Sequence, residues 1–153
     1  MSRVMDQSEV IILRGLPGSG KSRFRTEFME RHSNDAGYCS ADDFHYDEHG
    51  VYRFNPANAG AAHAACFRKY IGMLEDGITN ILVDNTNTSA VEIAPYILGA
   101  NAWHATVDIF QFDCTLETSM ARNVHAVPEN IIKTMFSRLK EPLPSWWPKV
   151  QVL

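Results

Sequence analysis

The sequence has little of three features that would each indicate a particular class of protein. Its three cysteines, Cys39, Cys66 and Cys114, lie far apart and form no CxxC pair, which argues against a disulfide framework or a zinc site. No apolar run approaches the length of a membrane span, and the start, MSRVMDQSEV, contains no signal-peptide core. The net charge of −4 leaves no broad basic footprint for duplex nucleic acid. These absences predict a soluble cytoplasmic protein with reduced thiols and no membrane partner.

The chain does contain enough apolar residues for one hydrophobic core. Of its 153 residues, 45% are hydrophobic and 21% are charged, which suits a single globular domain over residues 1–153. The Pro- and Trp-rich segment 141–153 is predicted to be irregular because its three prolines bar a helix. Trp146 and Trp147 are expected to pack onto the domain or to cover a partner surface.

The stretch RGLPGSGKS, residues 14–22, follows the apolar run VIIL and has the spacing of a Walker A motif. Its glycines allow backbone conformations in which successive N–H groups converge on phosphate oxygens. Lys21 adds a positive charge at the β- and γ-phosphates, and the Ser22 hydroxyl is placed to bind Mg²⁺. The motif predicts a site for ATP and Mg²⁺ made by Gly15, Pro17, Gly18, Ser19, Gly20, Lys21 and Ser22.

Hydrophobic periodicity predicts that strands and helices alternate along the chain. After the first strand, further strands are predicted in GYCSADD, ending at Ser40, in GITNILVDN and in WHATVDIFQFD. Helices are predicted directly after the glycine-rich loop, over 58–75, from Ser89 with a capping box to Glu92, and from near Pro128. This order predicts an α/β protein with the P-loop NTPase or kinase fold, in which helices cover both faces of a parallel sheet of four to five strands.

Acids and amides follow the predicted strands at the edge where such sheets bind ligands. The second strand ends in Asp42 and Asp43, the third in the DNTN segment 84–87, and the fourth in Asp113. A GTPase switch usually has an NKxD-type guanine-reading segment, and a motor or AAA-type ATPase usually has a longer chain. A kinase instead needs one carboxylate to deprotonate the acceptor hydroxyl, another near the metal, and cations in a lid. The pattern favours a kinase.

Four segments together resemble the kinase domain of the bacteriophage polynucleotide kinase family, which phosphorylates 5′-hydroxyl ends of DNA or RNA. They are GLPGSGKS, SADDF, LVDNTN and ARNVHAVPENIIKTM, and the similarity runs from Val10 to Arg138. The resemblance implies that Asp42 is the general base and that Arg122, with Asn123, starts the lid and neutralises charge beside Lys21. It also implies that Asp84 lies on the metal side and that Asn85 and Asn87 help to organise the acceptor.

Two positions depart from that family pattern. The phage member has an arginine three residues after the catalytic aspartate, where it grips a nucleic-acid phosphate, and this chain has His45. Its lid is longer and carries a second arginine, whereas RNVHAVP offers Arg122 and His125. The segment YRFNP places Arg53 between two aromatics, which either stack a base beside a phosphate or anchor the loop on the core. The predicted acceptor contacts are Asp43, His45, Arg53, Asn85 and Asn87.

The sequence leaves the acceptor open between a single-stranded nucleic-acid end and a small hydroxyl-bearing substrate. A hydroxymethylated base in DNA, a free nucleotide or another metabolite is a possible acceptor, and a nucleotide-binding module without transfer is the further alternative. Local alternatives also stand. Asp42 and Asp43 are favoured at turn caps, DNTN is suited to capping the Ser89 helix, and Arg122 has the spacing to pair with Glu117.

Overall fold

Five parallel strands form one sheet in the computed structural model, which describes residues 7–153. The strands are β1 (Glu9–Gly15), β2 (Ala36–Cys39), β3 (Asn80–Asp84), β4 (Thr106–Phe112) and β5 (Val150–Val152). Their order across the sheet is β2-β3-β1-β4-β5, with every pair parallel. Residues 1–6 lie outside the described residues. They include part of the N-terminal segment in which no signal-peptide core was expected.

Helices follow the strands in alternation. They are α1 (Lys21–Arg31), α2 (Ala59–Glu75), α3 (Ala90–Ala102), α4 (Leu116–Ala121) and α5 (Glu129–Leu139), with 3₁₀ turns at Ala41–His45 and Pro56–Asn58. Within residues 7–153, none of these helices has both the length and the apolarity needed to cross a membrane.

The sheet is buried on both faces because alternate residues of β1 point to opposite sides. Val10 and Ile12 join the larger core, which packs the sheet against α2 and α3. Leu13 joins a second core with Leu82 and Phe28 of α1. The predicted α/β architecture is thereby confirmed, and β1 with its following loop lies in the middle of the sheet.

The segment 141–153 is less irregular than its prolines suggested. Residues 150–152 form β5, which adds to the sheet edge with Ile109 opposite Val150. Trp147 is buried in the larger core, as one of the two expectations had it, and Trp146 is exposed. The prolines precede the strand and leave the backbone N–H groups of 150–152 free to pair.

Two local predictions about helices were incomplete. Helix α4 was not predicted, because six residues are too few to show a hydrophobic period, although Thr115 caps it by accepting a hydrogen bond from Thr118 N. Ser89 is the N-cap of α3, but its side chain makes no capping bond. Glu92 accepts instead from the backbone N–H of Thr88. Only one of the two hydrogen bonds of a capping box therefore forms, and its donor is the residue before the N-cap.

Candidate active site

The loop between β1 and α1 leads into a helix whose N-terminus has no side-chain cap. Helix α1 begins at Lys21 with Gly20 as its N-cap, where no side chain caps the helix and no acid lies in the first turn. The helices α3, α4 and α5 each carry a glutamate in the first turn. An uncapped helix N-terminus with positive dipole attracts anions, so the residues present fit a bound phosphate group.

Gly18 brings this loop into contact with α4. Its φ of +76° lies in the left-handed region, and a Cβ placed there would lie 2.6 Å from the Cβ of Arg122. Ser119, on the buried side of α4, donates a hydrogen bond to the carbonyl of Pro17 at 2.6 Å. Helix α4 therefore fixes the position of the phosphate loop, and it holds Arg122 beside that loop.

Replacing Gly18 with alanine should weaken nucleotide binding by about tenfold or more, because the left-handed backbone and the close contact would both have to change. Nucleotide affinity and the melting temperature measure the effect. Gly60 in α2 is a matched control, since a Cβ there meets no atom within 4 Å. Equal affinity in the Gly18 and Gly60 variants would contradict the role of this contact.

The side chain of Lys21, at the start of α1, folds back onto the loop. Its Nζ donates to the carbonyls of Gly15 and Leu16, both at 2.8 Å. Burial lowers the pKa of Lys21 to about 8, and the charges of Asp84 and Asp42 oppose this decrease. Two carboxylates from different elements, the end of β3 and the turn after β2, therefore act on one ammonium group.

Because burial lowers its pKa to about 8, Lys21 loses its proton in the free protein above that pH. A bound triphosphate favours the charged form and raises this pKa, so nucleotide binding should take up a proton on the alkaline side. The affinity for nucleotide should be highest below the pKa of Lys21 in the free protein. Above that pKa it should fall by up to about tenfold per pH unit. Calorimetry in two buffers of different ionisation enthalpy measures the uptake. Lys21→Arg, which stays charged, should bind without it, and proton release by the parent would contradict the assignment.

Asp84 ends β3, directly beside β1 in the sheet, and is opposite Leu13 in register. It is buried and accepts a hydrogen bond from Arg25 Nη1 at 2.9 Å. Burial raises the pKa of Asp84, whereas Arg25 and Lys21 lower it, and Asp42 and Asp43 raise it. A carboxylate oxygen here and the exposed hydroxyl of Ser22 are hard oxygen donors of the kind that Mg²⁺ prefers, so the residues present fit that ion.

Asp42 and Asp43 reach the site by a different route from the one expected. The sequence analysis placed both aspartates at the end of the second strand, at the ligand-binding edge of the sheet. In the structure β3 lies between β1 and β2, and both aspartates belong to the 3₁₀ turn 41–45. The Ser40 hydroxyl caps this turn by accepting from Asp42 N, so the aspartate side chains are not needed as caps.

Asn85 and Asn87 direct their side-chain amides into the protein. Asn85 accepts from the N–H of Ala41 at 2.8 Å, and Asn87 donates to the carbonyl of Leu13 at 2.7 Å. Asn87 also has a positive φ of 46°. These bonds tie the 3₁₀ turn and β1 to the end of β3, and the acceptor contacts of the two asparagines stay a prediction.

Arg14 completes that network and was missed by sequence reasoning. It is 2% exposed, and it donates to the carbonyls of Asn87 at 3.1 Å and Thr88 at 2.9 Å. Burial lowers its pKa, while Glu92 and Asp113 raise it. The available signal was a charged residue inside the apolar run VIILRG. Arg14 holds the DNTN segment against the strand that leads into the phosphate loop.

The structure places His45 inside the protein and Arg53 on its surface. His45 is buried, with the ring of Phe54 at 5.0 Å, so its imidazole does not replace an exposed phosphate-gripping arginine. Arg53 lies on the surface and donates to Asp47 at 2.8 Å. An antiparallel bridge between Tyr46 and Tyr52 closes the intervening turn.

The lid segment approaches both halves of the site. Arg122 Nη1 lies 3.5 Å from the carbonyl of Gly18 and makes no ion pair with Glu117 among the described residues. Asn123 exchanges two hydrogen bonds with the backbone of Val127, which closes the lid turn. The ring of His125 lies 4.1 Å from that of Tyr52. The lid thus spans from the phosphate loop to the segment that carries Asp42.

A family model described as AAA domain, AAA_33, matches residues 10–142. The chain belongs to this family. The match includes the phosphate loop, both acidic segments and the lid. A longer chain was expected for an AAA-type ATPase, and this match shows that a chain of 153 residues is compatible with a family of that description.

The curated relative NEDD4-binding protein 2 from Homo sapiens is 36% identical over 88 residues. That alignment covers 58% of this chain and 5% of the relative, so the chain spans a small part of the relative's length.

Three solved structures share the fold. A chain of the Pnkp1/Rnl/Hen1 RNA repair complex has a TM-score of 0.72 and 23% identity, over 91% of this chain and 46% of that one. Kti12 from Chaetomium thermophilum in complex with ADP-AlF3 has a TM-score of 0.63 and 18% identity, over 94% of this chain and 88% of that one. A gluconokinase from Sinorhizobium meliloti 1021 has a TM-score of 0.59 and 13% identity, over 98% of this chain and 84% of that one. At these identities the likeness shows the fold alone, which is that of P-loop kinases, with a nucleotide-bound neighbour among them. Membership of the phage polynucleotide kinase family stays a prediction.

Proposed function

We propose that the protein is an ATP-dependent kinase that transfers the γ-phosphate to a hydroxyl of a nucleic acid, and that the acceptor is the 5′-hydroxyl of a single-stranded polynucleotide. The observation that carries this proposal is the position of two carboxylates beside the strand that leads into the phosphate loop. Asp84 lies opposite Leu13 of β1 at the end of β3, and Asp42 belongs to the turn that Asn85 ties to that strand end. Water and an acceptor hydroxyl both need a side chain that orients them for attack, and an exposed carboxylate can also be reached by the hydroxyl of a large acceptor.

The nucleotide and its metal would be held by groups already in place. The residues from Gly15 to Ser22 and the uncapped start of α1 would hold the phosphates, and Ser22 with Asp84 would hold Mg²⁺. When bound, ATP with Mg²⁺ supplies the transferable phosphoryl group. Lys21 and Arg122 each place a positive charge against the loop, at the carbonyls of Gly15 and Gly18, which lowers the cost of the charge that develops during transfer.

Asp42 is the residue that takes the proton of the acceptor hydroxyl in this proposal. It is exposed, as a base that meets a polymer must be, and the Tyr52 hydroxyl donates to its Oδ1 at 3.3 Å. Burial raises the pKa of the Tyr38 hydroxyl and the charge of Asp43 raises it further, so we assign Asp43 to the acceptor side and not to the proton transfer. Arg53 is the exposed cation of this surface and contributes a phosphate contact once its pair with Asp47 opens.

A small hydroxyl-bearing acceptor is the second candidate. The burial of His45 favours it, because no cation stands at the position where the phage enzyme grips a nucleic-acid phosphate. The likeness to a gluconokinase concerns the fold and is compatible with either acceptor.

Product analysis with γ-labelled ATP distinguishes these acceptors. The panel contains a 5′-hydroxyl oligonucleotide, DNA with a hydroxymethylated base, free nucleosides and nucleotides, and a set of small polyols. The proposal expects label on the 5′ end of the oligonucleotide. Label on a hydroxymethylated base or a small molecule supports the corresponding alternative and overturns the polynucleotide assignment. Nucleotide binding without label on any acceptor indicates a module without transfer chemistry.

A further inference from the structure

Four aromatic side chains form an exposed surface beside Asp42, which we name the aromatic ledge: Phe44, Tyr46, Tyr52 and Phe54. Three of them leave about half of their surface in solvent, with Phe44 and Tyr46 46% exposed and Phe54 49% exposed. Clustered aromatic exposure of this kind is unfavourable in water and marks binding surfaces when it is contiguous. The ledge belongs to the segment that follows β2 and is separate from the phosphate loop.

The ledge is held in shape by its own contacts. Arg53 N donates to the carbonyl of His45 at 2.7 Å, and the rings of Tyr46 and Tyr52 lie 5.3 Å apart. Asp47 fixes the turn by accepting from the N–H groups of His49 and Val51. The buried ring of His45 lies beneath Phe54 and Tyr52, at 5.0 Å and 5.9 Å. Preorganised aromatic faces lose little entropy when a planar ligand stacks on them.

The ledge connects the proposed base to the lid. Both contacts are made by Tyr52. Its hydroxyl donates to Asp42, and its ring packs against that of His125 at an interplanar angle of 34°. A planar group that stacks on the ledge would therefore lie near Asp42, because Tyr52 of the ledge contacts that carboxylate directly.

The chemistry of this surface fits a nucleobase. A small polyol would need a concave site with several convergent hydrogen-bonding groups, whereas the ledge is open and aromatic. Two cavities of about 320 Å³ lie instead at the C-terminal segment, where Trp147 and Pro148 line both. Arg53, exposed on the same segment, offers a positive charge for a backbone phosphate. Aromatic stacking with a nearby cation is the usual means of holding a single strand.

We infer that the aromatic ledge stacks the terminal nucleobase of the acceptor strand and so presents its 5′-hydroxyl to Asp42. This inference rests on the proposed kinase function and adds a base-binding subsite to it. Because every base has a π-face, the subsite is tolerant of sequence but requires that a base be present.

Phe54→Ala tests the subsite without disturbing Asp42, since Phe54 has no hydrogen bond to that carboxylate. With a 5′-hydroxyl oligonucleotide, KM should rise by about tenfold or more while the KM for ATP and kcat stay near the parental values. Phe54→Tyr should restore the parental KM. Trp146→Ala, which removes a 75% exposed aromatic elsewhere, is the matched control and should change neither KM.

An oligonucleotide with an abasic 5′-terminal nucleotide gives the matched substrate control. The parent should use it about tenfold less efficiently than the base-bearing strand, and Phe54→Ala should lose that preference. An unchanged KM in Phe54→Ala, or equal use of both strands by the parent, would overturn the subsite. If the alanine variant melts at a much lower temperature, Phe44→Ala replaces it in the same comparison.

A binding readout separates failure of the subsite from failure of the kinase proposal. A strand with 2-aminopurine as its 5′-terminal base should lose fluorescence on binding to the parent and lose less on binding to Phe54→Ala. This quenching needs no phosphate transfer, so it tests the ledge even if no acceptor is phosphorylated. If the ledge instead pairs with a second copy of the chain, sedimentation will show a dimer that Phe54→Ala dissociates, with no change in quenching, and the inference fails.

Discussion

Replacing Lys21 with alanine should lower the rate of phosphate transfer by at least about 10²-fold while the protein remains folded. The reason is that Lys21 supplies the positive charge that the phosphate loop directs at its ligand. Within residues 7–153 its Nζ donates hydrogen bonds to oxygens of the loop itself, at Gly15, Leu16 and Ser19. Lys21 belongs to neither hydrophobic core, so its removal leaves both cores intact. Steady-state rates with the acceptor found by product analysis, and a thermal melt, measure the two effects.

Lys133→Ala is the control for loss of a positive charge. Lys133 lies on the exposed side of α5, where it pairs with Glu129 at 3.0 Å. A surface pair of this kind contributes little, so this variant should keep the parental rate. A Lys21→Ala protein with normal turnover would show that the site lies elsewhere.

Asp42→Asn should lower single-turnover transfer by about 10²–10⁴-fold, the usual contribution of a positioned general base. The same change removes a negative charge that acts on Lys21, so the affinity for ATP should stay equal or increase. This combination of slow transfer with intact binding is specific to a role in proton transfer. Rapid mixing with labelled ATP measures the first quantity, and equilibrium titration measures the second.

Asp43→Asn is the matched control for Asp42→Asn. Asp43 lies in the same 3₁₀ turn and carries the same charge, but the carboxylate of this turn that acts on Lys21 is that of Asp42. Its loss should have the milder effect on transfer. If the two variants transfer at equal rates, or if Asp42→Asn is close to the parent, Asp42 is not the base.

The phosphate loop and the alternation of strands and helices were predictable because their signals are local. The spacing from Gly15 to Ser22 and the period of each strand require no knowledge of distant partners. The position of β2 was not predictable in this way. Its separation from β1 by β3 depends on which strand pairs best with each neighbour, and no local pattern encodes that choice.

The side-chain directions around the site were also hidden from sequence reasoning. Asn87 and Arg14 meet partners that lie 73 or 74 residues away, so their inward orientation is a consequence of strand pairing. Arg25 pairs with Asp84 across 59 residues, and Ser119 reaches Pro17 across 102. The residue types were visible, but the tertiary contacts that give them positioning roles were not.

The fate of the γ-phosphate tests the central claim most directly. Purified protein is mixed with γ-labelled ATP, Mg²⁺ and one of two oligonucleotides of identical sequence, one with a 5′-hydroxyl and one with a 5′-phosphate. The account predicts label at the 5′ end of the hydroxyl strand and none on the phosphate strand, with transfer lost in Asp42→Asn. Label released as inorganic phosphate at the same rate with either strand would contradict it.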